Sequence, residues 1–323
     1  MEVGDEAGAV GVDSRSEATA EGGALDWDRA QKETSLSLAD SDSAPGAPSS
    51  PSPSWGASYR LVAAEKWKSK SAVMGSGVTQ ALVDYATPQP GMRILDLASG
   101  TGEPGISLAQ RCAPGGTVTA VDLSAELLGL AAARALKKNL PNFFTQQADA
   151  HELPFSDRSF DLATCRFGVM FFGDVKQALA ELQRVLRAGS RACFVVWGPF
   201  EQPYWQTTMK IVHRHVGGEL LDPGQGDPFR FAAAGSLSEA LRSAGFRGVE
   251  ESTQDVQWVW QGSAEEVFEY ACAVSTPFRA MLERVPEAKW PRIRNEVHSA
   301  INRYRLGEEI QFGVNVILAS GKA

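Results

Sequence analysis

The sequence has few cysteines and no long apolar run, and both shortages exclude whole classes of protein. Its four cysteines, Cys112, Cys165, Cys193 and Cys272, form no C-x-x-C pair and have no histidine at zinc-finger spacing. A disulfide framework and a structural zinc site are therefore excluded. No run approaches the roughly 20 apolar residues of a bilayer span, and the N-terminus lacks the basic and apolar regions of a signal peptide. We predict a metal-free cytoplasmic protein with no membrane span.

Positive charge is also scarce, because the chain has 31 Lys and Arg against 39 Asp and Glu. Residues 1–54 hold eleven acidic and three basic residues, so the whole net charge of −8 lies there. The rest of the chain is neutral, has no surplus to attract a phosphate backbone, and is predicted to bind no nucleic acid. The acidic segment ends in the Pro/Ser tract Ser43–Ser54, which cannot build a core. We predict that residues 1–54 are a disordered tail.

From Trp55 onward, short apolar runs alternate with amphipathic stretches, which is typical of a mainly parallel sheet covered by helices on both faces. The periodicity predicts the following elements in chain order: helices Tyr59–Trp67 and Val78–Ala86, strand Arg93–Leu97, helix Gly105–Arg111, strand Thr117–Val121, helix Ala125–Lys137 with Ser124 as N-cap, strands Phe143–Gln147 and Leu162–Cys165, helix Val175–Leu186, strand Ala192–Trp197, helix Leu237–Ala244, strand Val249–Trp260, helices Ala264–Val274 and Pro291–Arg305, and strand Gln311–Ala319. The stretch Gly198–Ala234, rich in Gly, Pro and aromatic residues, is predicted to cross one edge of the sheet.

The most informative stretch runs from a strand through a glycine turn into a helix. Gly100, Gly102 and Gly105 satisfy G-x-G-x-x-G, in which the missing side chains let a ligand approach the backbone. Asp122 ends the next strand 20 residues after the middle glycine, where a carboxylate can accept both hydroxyls of a ribose. Asp149 follows the third strand at the same sheet edge and can bind an adenine amino group. Together these residues predict a cofactor that contains adenosine.

The residues before the first glycine separate the candidate cofactors. Asp96 lies in the strand end, and the turn reads Asp-Leu-Ala-Ser-Gly-Thr-Gly. A carboxylate at this point is unfavourable beside a pyrophosphate but suits a cationic ligand. The chain also lacks a Tyr-x-x-x-Lys pair for hydride transfer. An NAD(P)-dependent oxidoreductase is therefore the weaker alternative, and a non-catalytic cofactor-binding module whose tail recruits a partner is a second alternative.

With these motifs the chain resembles a class I S-adenosylmethionine-dependent methyltransferase, in the branch of ubiquinone/menaquinone-biosynthesis C-methyltransferases and related small-molecule enzymes. The matching segments follow the order of the family: Leu95–Gly102, Val121–Ser124, Ala148–Phe155, Ser159–Leu162, Arg166–Phe172 and Glu181–Gly189. The family often has Gly where Ala98 stands. The resemblance implies an α/β, Rossmann-like fold with a seven-stranded, mostly parallel sheet, an antiparallel last strand and helices on both faces.

The resemblance also implies roles for individual residues. The backbone of residues 98–102 and Asp96 would hold the methionine end, Asp122 the ribose, and Asp149 the adenine. The residues assigned to S-adenosylmethionine, and to S-adenosylhomocysteine as its product, are Asp96, Ala98, Ser99, Gly100, Thr101, Gly102, Asp122, Leu123, Asp149, Ala150 and Arg166. The predicted methyltransferase domain covers residues 55–323, with lid elements at about 55–90 and 198–234.

The acceptor site is predicted less specifically. Aromatic and apolar side chains near the methyl group suit a flat or apolar acceptor, and we assign Phe167, Met170, Tyr204 and Trp205 to it. No general base is evident, and His151 is interpreted as structural rather than catalytic. His213 and His215 would face different sides of a helix, so no metal site is predicted. We expect methyl transfer to a quinol precursor, a lipid or a natural-product-like molecule, by a monomer or homodimer.

Overall fold

The structure, a computed structural model, describes Lys70 and residues 73–323. The predicted tail at residues 1–54 and the predicted helix Tyr59–Trp67 lie outside the described residues, so the proposed domain boundary at residue 55 stays a prediction. Among the described residues, no helix is both long enough and apolar enough to cross a lipid bilayer.

The strands of the described part join in one mixed sheet. Their bounds are β1 Arg93–Leu97, β2 Thr117–Asp122, β3 Phe143–Gln147, β4 Phe160–Arg166, β5 Leu186–Trp197, β6 Arg247–Gln261, β7 Arg305–Leu306 and β8 Glu309–Lys322. The spatial order is β3-β2-β1-β4-β5-β8-β6, and the two-residue β7 pairs with β8 outside this path. Strands β1 to β5 are parallel, whereas β8 is antiparallel to both β5 and β6. The predicted Rossmann-like sheet with an antiparallel last strand is confirmed.

Helices of ordinary length connect and cover the strands. Their bounds are α1 Ser76–Ala86, α2 Gly105–Arg111, α3 Ala125–Lys137, α4 Val175–Val185, α5 Pro203–Thr207, α6 Met209–Val216, α7 Ser236–Ser243, α8 Ala264–Val274, α9 Arg279–Glu283 and α10 Trp290–Asn302. Several begin at polar caps that satisfy the first backbone N–H groups. Ser124 caps α3 by accepting a hydrogen bond from Leu127 N, and Ser263 and Glu266 form a reciprocal capping box on α8.

The central strands are buried on both faces, as expected where helices cover a parallel sheet. Cys193, Phe194, Val195 and Val196 of β5 are all fully inaccessible to solvent. Cys165 in β4 is equally buried, and burial raises the pKa of its thiol to about 12, so this cysteine is inert.

Most predicted strands and several helices differ from the structure by one to three residues at an end, and for two helix ends strand pairing is the reason. Helix α4 ends at Val185 because Leu186 takes an extended conformation and pairs with Phe160, which lengthens β5 beyond the predicted Ala192–Trp197. Helix α10 ends at Asn302 rather than at residue 305, because Arg305 pairs with Ile310 in β7. Sequence periodicity does not report these long-range pairs.

Part of the predicted lid belongs to the body of the domain. Helix α1 lies within the lid element predicted at residues 55–90, yet it packs against β4, β5 and β6. Its Val78 and Leu82 are fully buried. A Cβ atom on Gly77 would lie 2.4 Å from the carbonyl oxygen of Gln257, so the helix sits directly on β6. Residues 76–86 therefore cover the sheet instead of a substrate.

Candidate functional site

The glycine turn lies at the carboxyl end of β1 and is organised from below by Asp96. The Asp96 carboxylate accepts hydrogen bonds from Ser99 Oγ at 2.7 Å, Gly105 N at 2.9 Å and Thr164 Oγ1 at 2.8 Å. The side chain is completely buried, and this burial raises its pKa from 3.8 to about 6 despite the three hydrogen bonds. One carboxylate thus joins both ends of the turn to β4.

The burial of Asp96 bears on its predicted role at the methionine end of the cofactor. We expected its carboxylate to hold the methionine end of the cofactor, which requires an exposed oxygen. Its two oxygens instead point at protein donors beneath the turn, and no part of the side chain reaches the surface. Asp96 is therefore a positioning residue that shapes the turn.

The glycines of the turn are required by close packing and by backbone conformation. A Cβ on Gly105 would lie 2.8 Å from Asp96 Oδ2, so a larger residue would displace the buried carboxylate. Gly102 has φ of +105°, and a Cβ there would lie 2.8 Å from Ile106. Ala98 has φ of +55°, a left-handed conformation that favours glycine over alanine. The G-x-G-x-x-G pattern is thus needed by the fold as well as by a ligand.

Asp122 lies beside the same turn and is only partly buried. Its Oδ2 accepts a hydrogen bond from Gly100 N at 2.8 Å, and its Oδ1 accepts one from Ser124 N at 3.0 Å. A carboxylate has about four acceptor positions, so each oxygen keeps one for a ligand hydroxyl. The side chain is fixed in orientation before any ligand binds.

Three charged residues hold the turn in place. Only one of them, Arg166, was found from the sequence, and Arg134 and Glu103 were missed. Arg134 of α3 donates to the carbonyl oxygen of Thr101 at 2.6 Å and to its hydroxyl at 3.1 Å. Glu103 binds Ser107 in the first turn of α2. The predicted site residue Arg166 donates to the carbonyl oxygen of Glu103 at 3.2 Å, and burial lowers its pKa although nearby carboxylates oppose this. Arg166 thus lies below the turn and links β4 to it.

Asp149 follows β3 at the same edge and is paired with His151. His151 Nδ1 lies 2.5 Å from Asp149 Oδ1, while His151 Nε2 is 3.2 Å from the backbone N–H of Asp174. Since that N–H can only donate, Nε2 accepts and the ring proton resides on Nδ1. Partial burial opposes ionisation, but the hydrogen bonds from His151 lower the pKa of Asp149. The histidine joins Asp149 to the start of α4.

The remaining predicted cofactor residues surround these groups. Leu123 is 56% exposed directly after Asp122, so it offers an apolar surface at the mouth of the crevice. Ala150 is buried, so only its backbone is available to a ligand.

An aromatic cluster begins where β4 ends. Phe167 has φ of +61°, a strained conformation for a residue with a large side chain. Its ring stacks on Trp197 with 4.3 Å between ring centroids and 12° between planes. The next residue, Gly168, lies against the glycine turn, because a Cβ there would be 2.4 Å from Ala98 Cβ. Phe167 therefore connects the glycine turn to the rings behind it.

We call these rings the aromatic cluster, and they come from distant parts of the chain. The members are Phe167, Trp197, Phe200, Tyr204, Trp205, Phe229, Trp258 and Phe278. Trp197 packs edge-on against both Trp205 and Trp258, at centroid distances of 5.5 and 5.2 Å. Sequence reasoning assigned Tyr204 and Trp205 to an acceptor site but missed Trp258. The only signal for Trp258 is its place in the alternating pattern of β6, which also places Trp260 on the same face.

Other predicted residues lie apart from this cluster or have ordinary partners. Met170 is buried in the hydrophobic core, as Tyr204 and Trp205 are, and its assignment to the acceptor stays a prediction. His213 Nε2 is 2.8 Å from the carbonyl oxygen of Gly218, and His215 Nε2 is 2.6 Å from Glu296. Both histidines thus have structural partners around α6.

Comparison with known proteins identifies the family. Residues 94–189 match the model of a family described as "Methyltransferase domain". A demethylmenaquinone methyltransferase of Deinococcus radiodurans is 33% identical over 165 residues, which are 48% of this chain and 68% of the relative. The ubiquinone/menaquinone biosynthesis C-methyltransferase UbiE of Brucella suis is 36% identical over 126 residues, covering 38% of this chain and 47% of the relative.

A solved structure of a SAM-dependent methyltransferase from Aquifex aeolicus aligns with 61% of this chain and 92% of its own, at 18% identity and a TM-score of 0.47. The chain spans about two thirds of the Deinococcus relative and about half of the Brucella relative. Residues 94–189, which match the family model, include most of β1, the glycine turn, Asp122, Asp149 and the strand that leads to Phe167. The chain therefore belongs to the class I S-adenosylmethionine-dependent methyltransferases, in the branch of the menaquinone and ubiquinone C-methyltransferases.

Proposed function

We propose that this S-adenosylmethionine-dependent methyltransferase transfers the methyl group to a small, partly hydrophobic acceptor that lies against the aromatic cluster. The position of Phe167 carries the proposal. Its backbone is adjacent to the glycine turn through Gly168 and Ala98, while its ring stacks on Trp197. An acceptor beside this ring would lie next to the glycine turn, where the family resemblance places the methyl donor.

The residues present fit S-adenosylmethionine. Asp122 keeps one acceptor position on each oxygen for the ribose hydroxyls, because its two backbone donors occupy only half of its capacity. Asp149 uses Oδ1 for His151, and no described residue donates to Oδ2, which we assign to the adenine amino group. The open space above Gly100 leaves room for the methionine end over residues 98–102. These assignments replace direct binding by Asp96 with binding by the loop that Asp96 shapes.

The bound cofactor supplies a methyl group on a sulfonium, which is already reactive toward a nucleophile. The protein therefore has to align the acceptor and exclude water. Trp197 and Trp205 are both more than nine-tenths buried, and they form an apolar wall behind Phe167. The rigid stack of Phe167 on Trp197 fixes the plane against which a flat acceptor can lie.

Proton removal from the acceptor has no obvious agent in this site. His151 is committed on both ring nitrogens, to Asp149 and to Asp174, and is not available as a base. Burial raises the pKa of Tyr204 well above its usual range, so its phenol stays protonated and does not act as a base. We infer that the acceptor is nucleophilic without a dedicated histidine, as an electron-rich ring or an acidic hydroxyl would be.

A quinol precursor is our leading specific acceptor, since two relatives are named for quinone biosynthesis. The flat aromatic cluster supports a flat acceptor over a flexible lipid chain. The family assignment sets aside the NAD(P)-dependent alternative. A cytoplasmic location, a monomeric or homodimeric state and any role of the tail stay predictions.

The first experiment is calorimetric titration with S-adenosylmethionine, S-adenosylhomocysteine and NADH in parallel, followed by transfer assays. Purified protein is incubated with labelled methyl donor and a short-chain demethylmenaquinol, and the product is identified by mass spectrometry. We expect binding of the first two ligands alone and a product that is heavier by one methylene unit. Cofactor binding without transfer to this acceptor or to related phenols would contradict the proposed acceptor class.

A further inference from the structure

Buried polar atoms without hydrogen-bond partners are concentrated in one place in the described part of the chain. Four buried side-chain atoms lack any partner: Trp205 Nε1, Trp258 Nε1, Ser275 Oγ and Thr276 Oγ1. Each of the four residues is more than nine-tenths buried. Native proteins satisfy the large majority of such atoms, so each exception requires an explanation.

All four residues belong to the aromatic cluster or adjoin it. Trp205 stacks on Phe278 with 5.4 Å between centroids, and Phe278 ends the short helical turn that Ser275 and Thr276 begin. Trp258 lies one ring away, since both tryptophans pack against Trp197. Trp205 and Trp258 thus belong to the aromatic cluster that starts at Phe167, and Ser275 and Thr276 lie beside its member Phe278.

Packing alone does not account for these atoms. Each indole N–H that is buried without a partner costs free energy, which replacement by phenylalanine would avoid. Two of the rings against Trp205, Phe229 and Phe278, carry no oxygen or nitrogen atom that could accept a hydrogen bond from its N–H. By contrast, the indole N–H of the fully buried Trp260 donates to Glu266 at 3.3 Å. The chain therefore does satisfy a buried tryptophan elsewhere in β6.

We propose that the indole N–H groups of Trp205 and Trp258 donate hydrogen bonds to oxygen atoms of the methyl acceptor, and so select an oxygenated flat ring over a plain hydrocarbon ring. The inference rests on the proposed function, because it assigns specificity within the same site. Ser275 and Thr276 supply hydroxyls that donate or accept at the Phe278 side of the cluster. The aromatic side chains provide affinity for the ring of the acceptor, and the unpartnered donors distinguish acceptors by the oxygen substituents on that ring.

The test compares two probes that differ only in oxygen, 1,4-dihydroxynaphthalene and naphthalene. Binding is measured by anaerobic equilibrium dialysis with S-adenosylhomocysteine present. The variants are Trp205→Phe and Trp258→Phe. The matched control is Trp260→Phe, which loses the same ring volume but removes an N–H that has a hydrogen-bond partner. We expect the full chain to prefer the diol at least roughly tenfold, and each of the first two variants to lose most of this preference.

The control variant distinguishes recognition from general damage. Trp260→Phe should keep the diol preference but lower the melting temperature more than Trp258→Phe does, because it removes the hydrogen bond that the indole N–H of Trp260 donates to Glu266. An unchanged preference in both Trp205→Phe and Trp258→Phe would overturn the inference. So would failure of the full chain to bind the diol better than naphthalene. The full chain could prefer the diol, and the two variants lose that preference, while no methyl group is transferred to the diol. This result would count against the proposed acceptor and not against this inference.

Discussion

The two halves of the crevice are built in opposite ways. In the cofactor half, the carboxylates of Asp96 and Asp122 bind backbone or hydroxyl donors of the glycine turn. In the acceptor half, Trp205 and Trp258 carry polar groups without partners among aromatic rings. The first half is therefore shaped before any ligand arrives. The second half has buried polar groups that no described residue satisfies, and we propose that the acceptor binds them.

The halves also differ in how far apart their residues are in the chain. The cofactor half comes from residues 93–166, where each strand is followed by its own loop at the same sheet edge. The acceptor half joins residues from β5, from the segment after it, from β6 and from the turn after α8. The residues of the cofactor half are thus brought together by local strand-to-loop connections, whereas those of the proposed acceptor half meet only through tertiary packing.

The largest expected effect is on the cofactor half, from Asp122→Ala. The substitution removes two charge-assisted hydrogen bonds to the ribose, which together contribute about 4 kcal/mol, or roughly 1000-fold in affinity. Calorimetric titration with S-adenosylhomocysteine measures this loss. The Asp122→Asn variant keeps one acceptor oxygen, so its affinity should lie between those of Asp122→Ala and the unaltered protein.

Asp161→Ala is the matched control for this variant. Asp161 also accepts a backbone hydrogen bond at a strand end, from Arg93 N at 2.9 Å, but at the opposite edge of the sheet. It should leave cofactor affinity unchanged. Equal affinities for Asp122→Ala and the unaltered protein would refute the ribose assignment.

A second prediction concerns the buried carboxylate of Asp96. Its pKa is raised from 3.8 to about 6 by burial, so the folded protein holds this proton more tightly than the unfolded chain. Stability from this group is present below about pH 4 and is lost as pH rises through about 6. The loss amounts to about 3 kcal/mol at neutral pH.

Asp96→Asn tests this dependence because an amide does not ionise. Thr164 Oγ1 can reverse its hydrogen bond and accept from the amide, so the contacts to the turn persist. We expect a higher melting temperature than the parent at pH 7.5 and little difference near pH 4.5. Urea denaturation across this range measures the difference, and parallel curves for the two proteins would contradict the assigned pKa. Cofactor affinity should fall less than in Asp122→Ala.

The comparison also explains what the sequence can predict. The bounds of β1, α2, α3, β3 and α8 agree with the predicted ones, because their periodicity, caps and glycine breaks are local signals. The glycine turn, Asp122 and Asp149 follow a spacing set by the strand-to-helix repeat. The burial of Asp96 was not predictable, since it depends on Thr164, a residue of a neighbouring strand. Trp258, Ser275 and Phe278 reach the cluster only through tertiary packing.

A third prediction changes the acceptor half alone. Phe167→Ala removes the ring that stacks on Trp197 and should lower kcat/KM for the acceptor about tenfold, or about 1.4 kcal/mol. Phe167→Gly should lose the same activity but be more stable than the alanine variant by about 1 kcal/mol, because φ of +61° is strained for any residue with a Cβ. Affinity for S-adenosylhomocysteine should stay within about twofold. A larger loss of cofactor affinity than of acceptor turnover would show that the two halves are not separable at Phe167.

The smallest predicted effect is at the edge of the cofactor half, from His151→Gln. His151 holds Asp149 and the backbone of Asp174 at once, through opposite ring nitrogens, and a glutamine amide cannot span both partners. Asp149 would then be free to move, and we expect about fivefold weaker S-adenosylmethionine binding, or about 1 kcal/mol. His213→Gln is the matched control, because its ring contacts only a nearby carbonyl oxygen beyond α6. If His151 were instead a general base, His151→Gln would abolish turnover while leaving affinity intact, so the ratio of kcat to Kd decides between a positioning role and a catalytic one.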